Sequence, residues 1–418
     1  MQQKSLQKHD PYAAFRFPEF RFLVSANFLL TMAGMIQEVA IGYEVYRMTH
    51  DPLALGMIGL VEAVPFMSLT LFGGHIADMY SKRKVLIWSV GGIAFSSIAL
   101  QVVMRLQYLF SMSSLLIAIY ASLFVIGLCR AFQSPTTTSL RAILVTPEVI
   151  ENASTWGSTS WQLGAILGPA AAGFLYAGIG FTNTLLLVTI FVIFSFAFFS
   201  RINDRQIVAT GKTDNVLTSI KEGIHFVFDT KIILYSISLD LFSVLFGGVV
   251  AILPIYAQDI LNVGPQGLGI LRAAPSIGAL LMLFLLARFS AMYHAWRNLL
   301  LAVTGFGICI LVFAISRSML LSVAALFLSG ASDSISVVIR ATILQTMTPD
   351  KMRARVQAVN GIFLASSNEV GAFESGLAAK IMGTVPSVIF GGVMTLLIVG
   401  TVFRRTGDLM KMNVRVKR

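Results

Sequence analysis

Apolar residues in this chain gather into long runs separated by short polar turns, and the runs recur from residue 22 to residue 403. A helix rises 1.5 Å per residue, so about twenty apolar residues cross a bilayer. The pattern predicts twelve spans. The first six cover 22–46, 53–77, 85–105, 113–142, 153–178 and 183–201. The second six cover 231–258, 267–288, 298–316, 320–345, 356–379 and 386–403. One long polar break, 202–230, separates the two sets, and at its end 215–231 alternates at helical spacing, which predicts an amphipathic helix on the cytoplasmic interface. The expected organisation is an N-terminal six-helix bundle (1–201), a cytoplasmic linker (202–230), and a C-terminal six-helix bundle with a basic tail (231–418).

Composition agrees with that pattern. Of 418 residues, 56% are hydrophobic and 12% charged, against about 25% charged in soluble domains. The net charge of +11 raises the question of nucleic acid, but its distribution answers it. With the N-terminus inside, 25 of the 31 basic residues fall on one face, and the opposite loops hold only Arg47, Arg105, Arg317 and Lys380. Such a skew marks the cytoplasmic side, so both termini are expected there, the bilayer is the expected partner, and no nucleic acid is needed. The polar, basic start precedes a run longer than a signal-peptide core, so the first helix is read as its own insertion signal. Two cysteines inside apolar runs give no disulfide framework, and five scattered histidines give no metal site. No phosphate-binding loop, zinc-helix motif or nucleophile elbow is present. The chain is expected to be neither an enzyme nor a cofactor or metal protein, and to act as a monomer.

A weak internal repeat relates the two sets of spans. Gly127-x-x-Arg130 corresponds to Gly330-x-x-Asp333, each ahead of a Thr-Pro-acid turn, at Thr146-Pro147-Glu148 and Thr348-Pro349-Asp350. Beyond these turns Gln162-Leu163-Gly164-Ala165 aligns with Glu369-Val370-Gly371-Ala372. Repeat-built transporters place substrate near midplane between repeats.

The loop GGHIADMYSKRK after span two resembles the signature G-x-x-x-D-R-x-G-R-R/K of the major facilitator superfamily. Gly74, Asp78, Lys82 and Arg83 match in place, while Met79 and Ser81 depart. Span five, GAILGPAAAG, is similar to the G-x-x-x-G-P-x-x-G-G motif of that superfamily's proton-coupled exporters through Gly164, Gly168, Pro169 and Gly173, with Ala172 departing. The order of features, including LQTMTPDKMRARVQAVNGIF, resembles the bacterial branch of siderophore and drug exporters. The resemblance implies an all-α fold of twelve helices in two pseudo-symmetric bundles in the inner membrane. It also implies a gate in which Asp78 meets the facing end of span eleven and pairs with Arg141, and a close-packing role for span five against span eight or eleven.

Ionisable residues inside spans are costly and mark cavities or partners. Here they are Glu38, Glu62, Arg130, Asp240, Arg272, Asp333, Glu369 and Glu374. A desolvated carboxylate can bind and release a proton, so Glu38, Glu62, Asp333 and Glu369 are the candidates for proton coupling. Arg130 could instead hold a carboxylate ionised or bind an anionic substrate. Trp161 and Gln162 on span five, with Arg130 and Asp240, are the candidate substrate-cavity residues. Each has a plainer reading as a fixed ion pair or as packing. The expected function is export of an amphipathic small molecule, a siderophore or drug-like compound, coupled to a proton. The alternatives are ion-coupled or facilitated uptake of a polar nutrient, and export of a metal ion or lipid.

Overall fold

The computed structural model describes residues 10–204, 216–289 and 292–411. Among them the regular structure is helical throughout. The major helices are α1 (Pro18–Thr49), α2 (Pro52–Met79), α3 (Lys82–Arg105), α4 (Met112–Leu144), α5 (Ile150–Ser200), α6 (Val216–Asp229) and α7 (Lys231–Gly247). A 3-10 turn, the short α8 (Leu253–Ile255) and a π turn at Tyr256–Ile260 extend α7. Then follow α9 (Gly264–Arg288), α10 (Ala295–Ile315), α11 (Met319–Met347), α12 (Asp350–Met382) and α13 (Thr384–Arg405). Ten stretches among the described residues are long and apolar enough to cross a membrane.

Local chemistry sets the ends. Pro18 and Pro52 open α1 and α2, where the missing N–H costs nothing. The Asp51 carboxylate accepts from Leu53 N–H at 3.0 Å, and the Ser81 and Ser111 hydroxyls accept from Lys84 and Ser114 N–H, capping α2, α3 and α4. Gly383 separates α12 from α13 at φ +89, and Gly180 interrupts α5 at φ +77, both backbone conformations that favour glycine. At Gly180 the helix doubles back. Ser160 donates to the Val24 carbonyl at 3.2 Å and Ser195 to that of Ala26 at 2.8 Å, so both arms lie against α1 at one level. Unbroken, the intervening helix would hold those two serines about 50 Å apart.

Packing falls into two groups. Helices α1 to α5 pack on one another, as do α7 and α9 to α13, while α2 meets α12 and α5 meets α9 between the groups. The aligned glycines of the repeat make matching contacts. A Cβ added at Gly127 on α4 would fall 2.1 Å from the Glu62 carbonyl oxygen of α2, and one at Gly330 on α11 would fall 2.0 Å from that of Pro275 on α9. Small residues at these crossings let backbones touch, which drives helix association in lipid. Helix α6 is docked on α12: Glu222 pairs with Arg355, Gly223 lies against the Arg355 backbone, and Val227 is buried.

Candidate transport cavity and its seal

The two groups of helices are joined at the end opposite the basic loops. There Lys380 of α12 donates to the Asp51 carboxylate at 2.8 Å, the Tyr46 hydroxyl of α1 donates to Asp259, and Gln258 donates to the Tyr43 carbonyl at 3.1 Å. Burial opposes the charge on Asp51, but the hydrogen bond from Lys380, that from Leu53 N–H and the ammonium charge together hold its carboxyl below the ordinary range. Backbones meet at the same end. A Cβ added at Gly173 on α5 would fall 2.4 Å from the Pro265 carbonyl oxygen on α9, and one at Gly376 on α12 would fall 2.7 Å from that of Pro52. Behind this seal Glu44 is almost fully buried and receives Arg47 through two hydrogen bonds, at 2.9 and 2.7 Å, and the Tyr176 hydroxyl.

On the basic side of the seal lies a cavity of about 530 Å³, a volume suited to a small-molecule ligand. Every residue lining it belongs to α1–α5. It runs from Glu38 and Glu62 past Arg130, Trp161 and Gln162 to Arg141 and Gly157 near the basic ends of α4 and α5. Its walls are rich in amides and hydroxyls, among them Gln133, Thr137 and Ser158. Where cavity meets seal, charges gather. Arg130 pairs with Glu62 inside the first group, and Arg272 of α9 reaches across to Glu38 at 2.6 Å. Glu369 of α12 presses against α2, with an added Cβ at Gly59 falling 3.1 Å from its Oε2. It lies within electrostatic reach of Glu38, Glu62 and Arg130, and makes no ion pair or hydrogen bond among the described residues.

The family model described as transmembrane secretion effector, a branch of the major facilitator superfamily, matches residues 9–414. The chain belongs to that family. It is a membrane transporter, not an enzyme, and a multi-pass protein of the inner membrane that carries a small molecule by secondary active transport. Its sequence is 25% identical to the enterobactin exporter of Shigella flexneri over 402 residues, 92% of this chain and 90% of that one. It is 24% identical to the enterobactin exporter of Salmonella typhi over 422 residues, 93% and 94% of the two chains. Solved structures share the fold. A POT family transporter in complex with 5-aminolevulinic acid aligns at TM-score 0.73 and 13% identity over 98% of this chain and 99% of that one. A bacterial homologue of the iron transporter ferroportin, in its inward-facing state, aligns at 0.70 and 16% over 94% and 99%.

Within this transporter fold the sequence candidates separate. Glu38, Glu62, Arg130, Trp161 and Gln162 come together on the cavity. Asp240, expected on the same wall, does not join them. It forms a buried ion pair with Arg340, beside a second cavity of about 10 Å³ that Asp333, Ser243 and Ser336 also line. Arg340, counted by position with the cytoplasmic cations, is therefore an interior residue. Gly173 packs across the groups on α9 as the span-five motif implies, but Gly164 and Gly168 pack on Thr31, Met32 and Met35 of α1 inside their own group, and Pro169, next to Gly168, is buried.

Of the expected gate, Gly74, Lys82, Arg83 and Arg141 can be placed. Gly74 has open space around it, Arg83 donates to the Ser200 carbonyl at 2.9 Å, and Lys82 is buried at the start of α3. Arg141 lies against Gly157, and the Asp78 side chain falls outside the described residues. The sequence gives Arg272, like Glu374, no assigned role among the intramembrane charges, and does not single out Tyr46, Asp259, Glu44 or Gly157. For Glu44 a signal existed, an arginine three residues on along the same helix face. For Arg272 the signal is only the pairing of two distant helices.

Proposed function

We propose that this protein exports an amphipathic small molecule in exchange for protons, by rocking two six-helix bundles about the cavity. Twelve crossings result when the two arms of α5 are counted separately and α12 is added to the apolar spans. α12 reaches from Arg355 at the basic end to Lys380 at the seal. The basic end is cytoplasmic, with both termini, the 202–230 linker and α6 on that side, and the protein works as a monomer. The arrangement then corresponds to a state sealed toward the outside, with its cavity on the cytoplasmic side.

The observation that carries the reading is the charge cluster where cavity meets seal. Glu38, Glu62 and Glu369 face the guanidiniums of Arg130 and Arg272, which leaves one negative charge unneutralised in the closed seal. A proton is the simplest counter-ion. A proton taken up from outside on Glu369 favours closing, and its loss to the cytoplasm leaves the repulsion that substrate binding exploits to reopen the seal. Asp333, beside the Asp240–Arg340 pair, is the second candidate carrier. At the cytoplasmic end Asp78, Gly74, Lys82, Arg83 and Arg141 close the gate in the alternate state. The names of the enterobactin exporters support export over uptake.

The test is proton movement in proteoliposomes with an internal pH dye, challenged with siderophores and lipophilic cations. Parent protein should move protons only with substrate, and Glu369→Gln, Asp333→Asn or Glu62→Gln should identify the carrier by abolishing that movement. Substrate flux without proton movement in any of these proteins rules out antiport.

A further inference from the structure

We propose that Arg141, seated on Gly157, is an oxyanion subsite of the cavity, so that the transported molecule bears a carboxylate, phenolate or similar anionic group. The proposal rests on the transport reading and names the substrate chemistry for it. Arg141 lines the cavity near the cytoplasmic end of α4 and makes no ion pair or hydrogen bond among the described residues, and its Nε is buried without a partner. A guanidinium presents five donors in a rigid fork matched to oxyanions. A bound anion meets those donors of Arg141 that face the cavity.

The seat is built for this side chain. A Cβ added at Gly157 would fall 2.5 Å from Cζ of Arg141, 2.7 Å from Nε and 2.8 Å from Nη1. Any other residue at position 157 displaces the guanidinium. The other arginine on the cavity wall is already committed, since Arg130 is paired with Glu62, and the wall carboxylate Glu38 is paired with Arg272. Arg141 is the cation on the wall left over. It lies about 16 Å along α4 from Arg130, at the far end of the cavity from Glu369. Trp161, one turn beyond Gly157 on α5, is half-exposed on the same wall and offers an aromatic face to the apolar part of a ligand. An anion at the cytoplasmic mouth with an apolar body reaching inward fits these positions, and a lipophilic cation does not.

Equilibrium dialysis of the purified full-length chain in nanodiscs at pH 7 tests this, using 1-naphthoate, 1-naphthamide and 1-naphthylmethylammonium as matched probes. The parent should bind naphthoate about tenfold or more tighter than the amide, the factor a charge-assisted hydrogen bond supplies. Arg141→Gln should bring the two within about twofold. Gly157→Leu should have the same effect with the arginine still present, and Arg141→Lys should lie between, keeping charge without the fork. A parent that binds all three probes alike, or best binds the cation, overturns the proposal, as does an anion preference that survives Arg141→Gln. Because binding is read without a gradient, the two readings fail separately. Parent flux without anion preference removes the subsite alone, whereas anion preference lost in Arg141→Gln with no flux in the parent supports the subsite and removes the transport reading.

Discussion

Gly127-x-x-Arg130 and Gly330-x-x-Asp333 begin alike and end in different surroundings. Both glycines seat a helix backbone on its neighbour, yet three residues later Arg130 is half-exposed on a cavity of about 530 Å³ while Asp333 lines one of about 10 Å³. In the first bundle the paired charges Glu62 and Arg130 border open space. In the second, Asp240 and Arg340 are about as buried as apolar core. On the proposed reading, the first group of helices is a wet half that receives a ligand and the second a dry half that supplies the lever, through Arg272 and Glu369. Charge inside a membrane protein has no single meaning, and what surrounds it decides whether it binds, couples or only packs.

The contrast can be broken most forcefully in the dry half. Arg340→Met leaves Asp240 buried without its partner and should cost about 3–5 kcal/mol. Thermal unfolding in detergent should show this loss, and Asp240→Leu added to Arg340→Met should recover most of it. Arg130→Met, on the open cavity, should cost clearly less in the same assay. A loss at Arg130 equal to that at Arg340 would erase the distinction between the halves.

A smaller effect is expected where the halves meet. Glu38→Gln removes the charge that Arg272 reaches for and should shift the closed-to-open ratio of the seal by about tenfold, the worth of one charge-assisted hydrogen bond. Spin labels at Leu109 and Arg317, exposed on either side of the sealed end, should then report a longer distance population. Restoring the pair in reverse, with Glu38→Arg and Arg272→Glu, should return the shorter one. Gly173→Val should widen the same distance by wedging α5 from α9, whereas Gly168→Val should not, because Gly168 packs on α1 within its own bundle.

The smallest effect belongs to the rim. Asp51 and Lys380 are partly exposed, so screening limits their pair to about 0.2–1 kcal/mol. The Asp51 carboxyl is held below its ordinary range, so this contribution is fully present above about pH 3.9, the unperturbed carboxylate value, and is lost as pH falls through the lower folded value. Lys380→Met should therefore change the label distances only slightly at pH 7, and the difference from the parent should vanish in strong acid.

The spans were legible because a bilayer imposes length and apolarity on each one. The predicted 85–105 and 386–403 lie inside the observed Lys82–Arg105 and Thr384–Arg405, and a helix stands at Val216–Asp229 where 215–231 shows amphipathic spacing. The repeat was visible for a related reason, since close crossings demand glycine at fixed places. Partner choice was not visible. Arg272 meets Glu38 only because α9 closes on α1, and Arg340 takes Asp240 out of the cavity from a hundred positions downstream. Depth counted along a straight helix cannot express either fact. Gly157 escaped notice for the same reason, because its meaning lies in the arginine it accommodates.

A cavity walled by α1–α5 also bears on how such a protein changes over generations. Positions such as Ser158 and Gln162 line it from the first bundle alone, so altered recognition can arise there while the second bundle keeps its ion pairs. A hybrid joining another family member's first bundle to this chain's α7–α13 should inherit the donor's substrate, provided the donor keeps Glu38, Asp51 and small residues at Gly173 and at Gly56, which lies against Gly376 of α12. Specificity and drive would then be heritable separately, as two traits carried on one polypeptide.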